Sequence, residues 1–277
     1  MPIDGNGPAP RRLGIIAGGG DLPRRLAMAA RARGGEPFLV ALEGHCPSAT
    51  VEGFEHAVVR LGAAGTVIDR LRQAGCADLV LAGPVRRPSL MELRPDARGM
   101  ALLARIGYRM LGDDGLLSAV VAALEAEGFR VVKAESLLDD LLAPEGALGR
   151  HAPDEAARAD IARGRAVLAA LGPLDIGQAV VVQQGMVLGI EAAEGTDGLI
   201  ARCAAYRRPG PGAVLVKMAK PGQSDRVDVP TIGTGTVAAC AAAGMAGIAV
   251  GAGNTWVVDR AAVAAAADAA GLFVVGV

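Results

Sequence analysis

The sequence predicts an α/β fold built in two halves. Short apolar runs alternate with helical patterns, the order that gives a parallel sheet with crossovers. Several of those runs stop at glycine or proline turns, where open α/β sheets place their ligands. Between Lys133 and Arg150 the periodicity weakens and turns take over. That sets a first domain over 1–137, a linker over 138–150 and a second, smaller-residue mixed α/β domain over 151–277.

In the first half, Leu13–Ala17 is an apolar strand that stops at Gly18-Gly19-Gly20, and a helical pattern follows as far as Arg33. Asp21 stands where a helix cap belongs, and Pro23 sits in the first turn, where its missing N–H is tolerated. A bare glycine turn lets a ligand approach the backbone, which makes Gly18, Gly19 and Gly20 candidates for nucleotide or phosphate contact. The dinucleotide fingerprint is only half present, because its third glycine falls on Pro23. Phe38–Leu42 is a second strand, Thr66–Ala74 a helix, and Asp78–Ala82 a third strand that delivers Gly83 to another strand tip. The Leu93–Gly99 stretch, with Asp96 and Arg98, precedes an apolar helix. Asp113 and Asp114 suit the cap and dipole of the helix Leu116–Glu127, and Gly128–Val132 closes this half as a strand.

In the second half, Asp154–Leu171 is the clearest amphipathic helix, capped by Asp154 and stopped by Gly172-Pro173. Gly177 and Gln178 lead into the strand Ala179–Gln183, which turns at Gln184-Gly185 into Met186–Ile190. A helix over Leu199–Tyr206 follows. Ala213–Gly233 then reads as strand, polar turn and strand, with Asp225–Val229 as the returning arm. Thr231–Thr236 opens a small-residue helix, whose amides and hydroxyls make an anion site at its N-terminus. Ile248–Val250, Thr255–Val258, the helix Asp259–Ala270 and Leu272–Val275 complete the layer.

Composition narrows the function. A net charge of −1 gives no pull toward polyanions, and 3% aromatics supply no base-stacking platform, so a nucleic-acid partner is disfavoured. The four cysteines stand far apart with no metal spacing, as small core residues of a reduced cytoplasmic protein do. No run has transmembrane length and the polar leader is no signal peptide. Arg24, Arg25, Arg31 and Arg33 offer a peripheral contact with anionic headgroups on a membrane, although a solvated helix face accounts for the same pattern.

Two stretches carry the chemistry. Ala213–Gly233 gathers Lys217, Arg226 and Asp228 around a turn; alternation would put Arg226 and Asp228 on one face. Glu191–Gly198 adds Glu191, Glu194, Thr196 and Asp197 between a strand and a helix, where Thr196 or Asp197 also suits a cap. Cations beside carboxylates suit phosphate chemistry. A rival signal, Gly233-x-Gly235-x-x-Ala238 with Asp259 further on, would mark a nicotinamide-binding oxidoreductase. Pro230 interrupts its leading strand, and its acid follows the wrong strand.

The segments Leu13–Pro23, Pro95–Gly99, Leu174–Gln178, Glu191–Asp197 and Arg226–Gly233 together resemble the LpxI family, UDP-2,3-diacylglucosamine pyrophosphatases of lipid A biosynthesis. The resemblance runs in order from Leu13 to Val277. It implies a Rossmann-like first domain and a ligand chamber between the two domains. It also implies Mg2+-dependent hydrolysis of the lipid-linked nucleotide sugar to UMP and 2,3-diacylglucosamine 1-phosphate. Location would be cytoplasmic, with contact at the inner membrane surface, and pairing into a homodimer is left open. The essential aspartate of the family maps to Asp228. The expected catalytic set is Asp228, Asp197, Glu194, Lys217 and Arg226, with Asp228 and Asp197 toward the metal. Gly18, Gly19, Gly20, Gly83, Asp96, Arg98, Gly177, Gln178, Thr196, Thr231 and Gly233 would contact substrate. A non-catalytic nucleotide-sugar or lipid carrier is the alternative in a different class.

Overall fold

The computed structural model describes residues 12–86, 93–106, 113–220, 227 and 229–277. It divides into two compact units, Met1–Leu138 and Asp139–Val277. In the first unit the described strands are β1 (Arg12–Ala17), β2 (Phe38–Leu42), β3 (Glu55–Val59), β4 (Cys76–Ala82) and β5 (Arg130–Val131). They form one sheet in the order β3-β2-β1-β4-β5, with every pairing parallel. The connections carry α1 (Leu22–Ala32), α2 (Ser48–Val51), α3 (Ala64–Gln73), α4 (Ala97–Ile106) and α5 (Asp113–Ala126). This is Rossmann-type winding: the chain reverses its direction of travel across the sheet between β1 and β4, the switch point where such sheets open a crevice.

The central strands are apolar because both of their faces are covered. Ile15, Leu39, Val40, Leu79 and Val80 are fully buried, each stabilising the unit by about 1.5–3 kcal/mol relative to exposure. Strand β3 is absent from the sequence-based expectation, and its position explains why. It lies at the sheet edge with Glu55, His56 and Val58 exposed, so its apolar residues do not alternate. The expected third strand is therefore β4. Asp21 occupies the cap position of α1, but its carboxylate makes no capping bond.

The second unit contains β6 (Gly146–Ala147), α6 (Glu155–Leu171), β7 (Ala179–Gln183), β8 (Met186–Ile190), α7 (Gly195–Ala204) and β9 (Val214–Lys217). It continues with β10 (Thr231–Ile232), α8 (Thr234–Ala242), β11 (Gly247–Val250), β12 (Trp256–Val257), α9 (Arg260–Ala270) and β13 (Phe273–Gly276). Among the described residues the main sheet has the order β6-β13-β11-β9-β7-β8, and β10 pairs with β12 apart from it. Strands β9, β11 and β13 run parallel, whereas β7 is antiparallel to both β9 and β8. Alternation along the strands divides the core. Val181, Leu215, Ile248 and Val274 pack under α7, α8 and α9, and Val180, Val182, Val214 and Val216 pack under α6.

The hairpin between β7 and β8 turns at Gln184 and Gly185, both with positive φ (52° and 75°), which matches the twist of the strands it joins. Its two amides are taken by the carboxylate of Asp160 from α6, at 2.9 and 2.6 Å. Asp160 is only 3% exposed, so the carboxylate is buried with both oxygens bonded.

The stretch read from sequence as a linker is integrated from Asp139 into the second unit. Leu141 and Ala143 are buried, Ala143 bonds to the Thr255 carbonyl, Leu148 bonds to the Val274 carbonyl, and β6 pairs with β13. Of the expected returning strand Asp225–Val229, Val227 lies in a turn and Val229 in no regular element; Asp225, Arg226 and Asp228 fall outside the described residues.

Candidate active site

In the first unit the two glycine turns meet at the switch point. The Gly18 amide donates to the Ala82 carbonyl (2.8 Å) and the Gly19 amide to the Pro84 carbonyl (2.9 Å). A side chain at Gly18 would stand 2.6 Å from the Gly83 carbonyl oxygen, and one at Gly83 would stand 2.2 Å from that of Gly19. Gly83 also has φ +89°, a conformation that only glycine adopts readily. Gly18, Gly19, Gly20 and Gly83 thus come together as expected, but the amides of Gly18 and Gly19 serve the neighbouring loop.

Asp96 and Arg98 lie apart from that turn. One oxygen of Asp96 accepts from the Gly65 amide (2.8 Å) at the start of α3 and the other from Gly99 (2.7 Å) at the start of α4. The carboxylate fastens two helix N-termini, where a negative charge is favourable. Arg98 pairs with Asp69 at 3.0 Å on the exposed side of α3. On α1, Arg24 donates to the Ala49 and Glu52 carbonyls and Arg31 to that of Gly53, its guanidinium 4.0 Å from the Phe54 ring centre; Arg33 reaches the Ser136 carbonyl. Packing within the unit accounts for these arginines.

In the second unit the carboxyl ends of β8, β9, β11 and β13 lie along one edge of the sheet, together with the start of β7. Lys217 ends β9 there, 6% exposed. Its ammonium donates to the Thr196 hydroxyl (2.9 Å) and to the Thr231 carbonyl (3.0 Å). Thr196 in turn donates to Glu191 at 2.6 Å, and the second oxygen of Glu191 accepts from the Gln178 amide at 2.9 Å. Gly177, with φ +55°, lies so close to Glu191 that a side chain there would stand 2.2 Å from its carbonyl oxygen. Five residues from four chain segments (Gln178, Glu191, Thr196, Lys217, Thr231) thus form one buried or half-buried polar cluster.

Around that cluster the remaining residues divide. Asp197 is exposed in the first turn of α7. Glu194 turns away to Arg202 at 2.5 Å, and the hydrogen bond from that guanidinium holds its carboxyl below the ordinary range. Gly233 precedes α8, whose first turn is exposed at Thr234 and Gly235, with open space beside Gly235. Lys220 pairs with Asp175 at 2.5 Å, so a second cation is fixed at this edge. The side-chain carbonyl of Gln178 is buried with no donor among the described residues, an acceptor that a ligand N–H or O–H would satisfy. Asp228 and Arg226 lie outside the described residues. Among the described residues no three His, Cys, Asp or Glu side chains stand together as a metal cluster. Asp259 of the rival dinucleotide motif is taken up in capping α9, accepting from the Ala262 amide at 3.0 Å.

The sequence places Glu191 in a chemically loaded stretch but gives it no role in the expected set, although every other member of the cluster has one. The available signal was an acid directly after an apolar strand, the first of three carboxylates in that stretch and the one nearest the sheet edge.

A Rossmann-type unit followed by a second α/β unit, with a buried cation linked through a hydroxyl to a carboxylate at the strand tips, defines a two-unit α/β protein with a polar cluster where such folds place their sites. Residues 12–141 match the LpxI N-terminal domain and residues 144–275 the LpxI C-terminal domain. The chain is 43% identical over 277 residues to the UDP-2,3-diacylglucosamine pyrophosphatase LpxI of Caulobacter vibrioides (strain ATCC 19089 / CIP 103742 / CB 15), covering 96% of this chain and 98% of that protein. The chain belongs to the LpxI family, and it is a hydrolase. A solved structure of glycinamide-RNase-transformylase T from Mycobacterium tuberculosis aligns with a TM-score of 0.28 and 16% identity, over 62% of this chain and 38% of that one, too weak to carry an argument. No helix among the described residues is long and apolar enough to cross a membrane.

Proposed function

We propose that this chain hydrolyses the pyrophosphate of UDP-2,3-diacylglucosamine to UMP and 2,3-diacylglucosamine 1-phosphate, in a magnesium-dependent step of lipid A biosynthesis. The observation that carries the reading is the buried Lys217 ammonium, bonded to the Thr231 carbonyl three residues before Thr234, the exposed first residue of α8. A fixed cation beside open helix amides suits the phosphoryl oxygens of a nucleotide diphosphate. The pyrophosphatase relative, 43% identical across nearly its whole length, supports the same substrate.

In this reaction water attacks the phosphorus nearer the sugar, the bond from that phosphorus to the bridging oxygen breaks, and UMP leaves with that oxygen. Lys217 and Arg226 would neutralise the charge that gathers on the leaving group. Asp228 orients the attacking water. Magnesium is commonly held by one or two carboxylates, with water and substrate phosphate completing the shell, so Asp228 and Asp197 would be enough to hold it; the lack of a three-residue cluster holds among the described residues, which do not include Asp228. Bound there, the ion would supply charge neutralisation at the phosphates. Glu194 is engaged by Arg202, which favours a supporting role in holding the start of α7. The Gln178 carbonyl would accept from a hydroxyl or imide N–H of the nucleotide sugar.

The test is UMP release from UDP-2,3-diacylglucosamine by the full chain, with and without magnesium, beside Asp228→Ala. Magnesium-dependent release that is lost in a folded Asp228→Ala protein is expected. No release by the wild type would end the hydrolytic reading, and undiminished release without any divalent cation would remove the metal from it.

A further inference from the structure

The Lys217 ammonium is held through a carboxylate it does not touch. Glu191 is 6% exposed, and a carboxylate in such a place needs partners for both oxygens. One oxygen takes the Gln178 backbone amide at 2.9 Å; the other takes the Thr196 hydroxyl at 2.6 Å. A hydroxyl has a single proton to give, so Thr196, donating to Glu191, meets Lys217 with a lone pair, and Lys217 donates to it at 2.9 Å. The direction of every bond in the chain Glu191, Thr196, Lys217 is therefore fixed.

We infer that Glu191 is a positioning residue for phosphoryl binding, and that Thr196 is the relay through which it orients the Lys217 ammonium rather than a group that contacts substrate. The inference rests on the proposed pyrophosphatase reading and assigns work to a residue outside the expected set. Thr196 has its proton committed to Glu191 and its oxygen turned to Lys217, which leaves it little to offer a ligand. The Thr231 carbonyl supplies a second acceptor at 3.0 Å, so the ammonium is aligned from two sides. Glutamine at 191 keeps the shape but removes the charge that polarises the hydroxyl, and it can present an N–H where Thr196 now donates.

The experiment is steady-state UMP release by the full chain for Glu191→Gln, Thr196→Val, Thr196→Ser and Lys217→Met, each with its melting temperature. The expected result is a fall in kcat of about 10-fold or more for Glu191→Gln and Thr196→Val, with KM within about threefold, the signature of an interaction felt mainly in the transition state. Thr196→Ser should recover most of what Thr196→Val loses, because the hydroxyl alone does the relaying. In a Lys217→Met background, Glu191→Gln should lower kcat by less than about twofold further, since residues acting through one another are not additive. The relay is overturned if Glu191→Gln lowers the melting temperature but leaves kcat intact. It is overturned as well if serine rescues nothing, or if the Glu191 and Lys217 effects multiply. If the wild type itself releases no UMP, the hydrolytic reading fails and the relay falls with it.

Discussion

The glycine turns of the first unit and the polar cluster of the second occupy equivalent places, at the carboxyl ends of strands, yet they are built on opposite terms. At the β1 and β4 tips, glycine is required because two backbones touch: the Gly18 and Gly19 amides serve the Ala82 and Pro84 carbonyls. At the β8 and β9 tips, charged and hydroxyl groups are buried against one another around Lys217. A bare turn at a strand end therefore reports close packing as readily as ligand approach. A buried lysine at such an end is harder to explain by packing, because an apolar side chain would fill the space without the cost of desolvating a charge.

The contrast can be broken most forcefully at Lys217. Lys217→Met should lower kcat by about 10²–10³-fold, the usual scale for removing one preorganised group from a developing charge. If kcat/KM for UMP release stays within threefold of wild type, the second unit's cluster is structural and the contrast collapses. At the other tip, Gly83→Ala should act on stability instead. The clash with the Gly19 carbonyl and the left-handed φ together should cost about 2–4 kcal/mol in denaturant unfolding. A stable Gly83→Ala protein with impaired substrate binding would show that this turn serves a ligand after all.

Asp96→Ala sharpens the comparison at a smaller scale. It removes the acceptor for the Gly65 and Gly99 amides and should destabilise the first unit by about 1–2 kcal/mol, with KM unchanged. A raised KM without loss of stability would place Asp96 among the substrate contacts. The smallest effect is expected at Cys240. Burial, and then the charge of Asp197, push its thiol up from 9.0 to about 12. The unfolded chain then loses this proton first as pH rises, so the stability tied to it is complete below pH 9 and declines from there toward pH 12. Cys240→Ala should flatten that alkaline decline in pH-dependent unfolding, and Asp197→Asn should shift its end slightly downward. An unaltered slope in Cys240→Ala would assign the decline to other groups.

The fold was legible where one rule governs a segment. Alternation and apolar runs gave β1, β2 and the β7–β8 hairpin, and a cap with a stop gave α6. It was not legible where neighbours in space decide. Strand β3 lies at an edge with three exposed residues, and Asp139–Arg150 is held by backbone bonds to Thr255 and Val274 that no local periodicity announces. The site divides in the same way. Lys217, Thr196, Gln178 and Thr231 carried chemistry in their residue types and do converge. Glu191 stood in the loaded stretch without a role, because its importance lies in being buried between the Gln178 amide and the Thr196 hydroxyl, which residue type alone does not announce. Asp96 signals acidity to a reader of sequence, but its partners in space make it a fastener of two helices.

The grip of Asp160 on the hairpin turn has a kinetic consequence. Helix α6, β7 and β8 are consecutive in the chain: the β7–β8 pairing joins residues only 3 to 10 apart and the bonds from Asp160 then span 24 and 25, whereas the β9–β11 and β11–β13 pairings span 33 and 26 with no shorter closure to start from. Short closures forfeit less chain entropy before contacts reward them. We expect the second unit to nucleate on this helix–hairpin piece and to add its parallel strands afterwards. Asp160→Asn should then slow refolding far more than it speeds unfolding. The opposite partition would place the nucleus among the parallel strands, with the hairpin joining late.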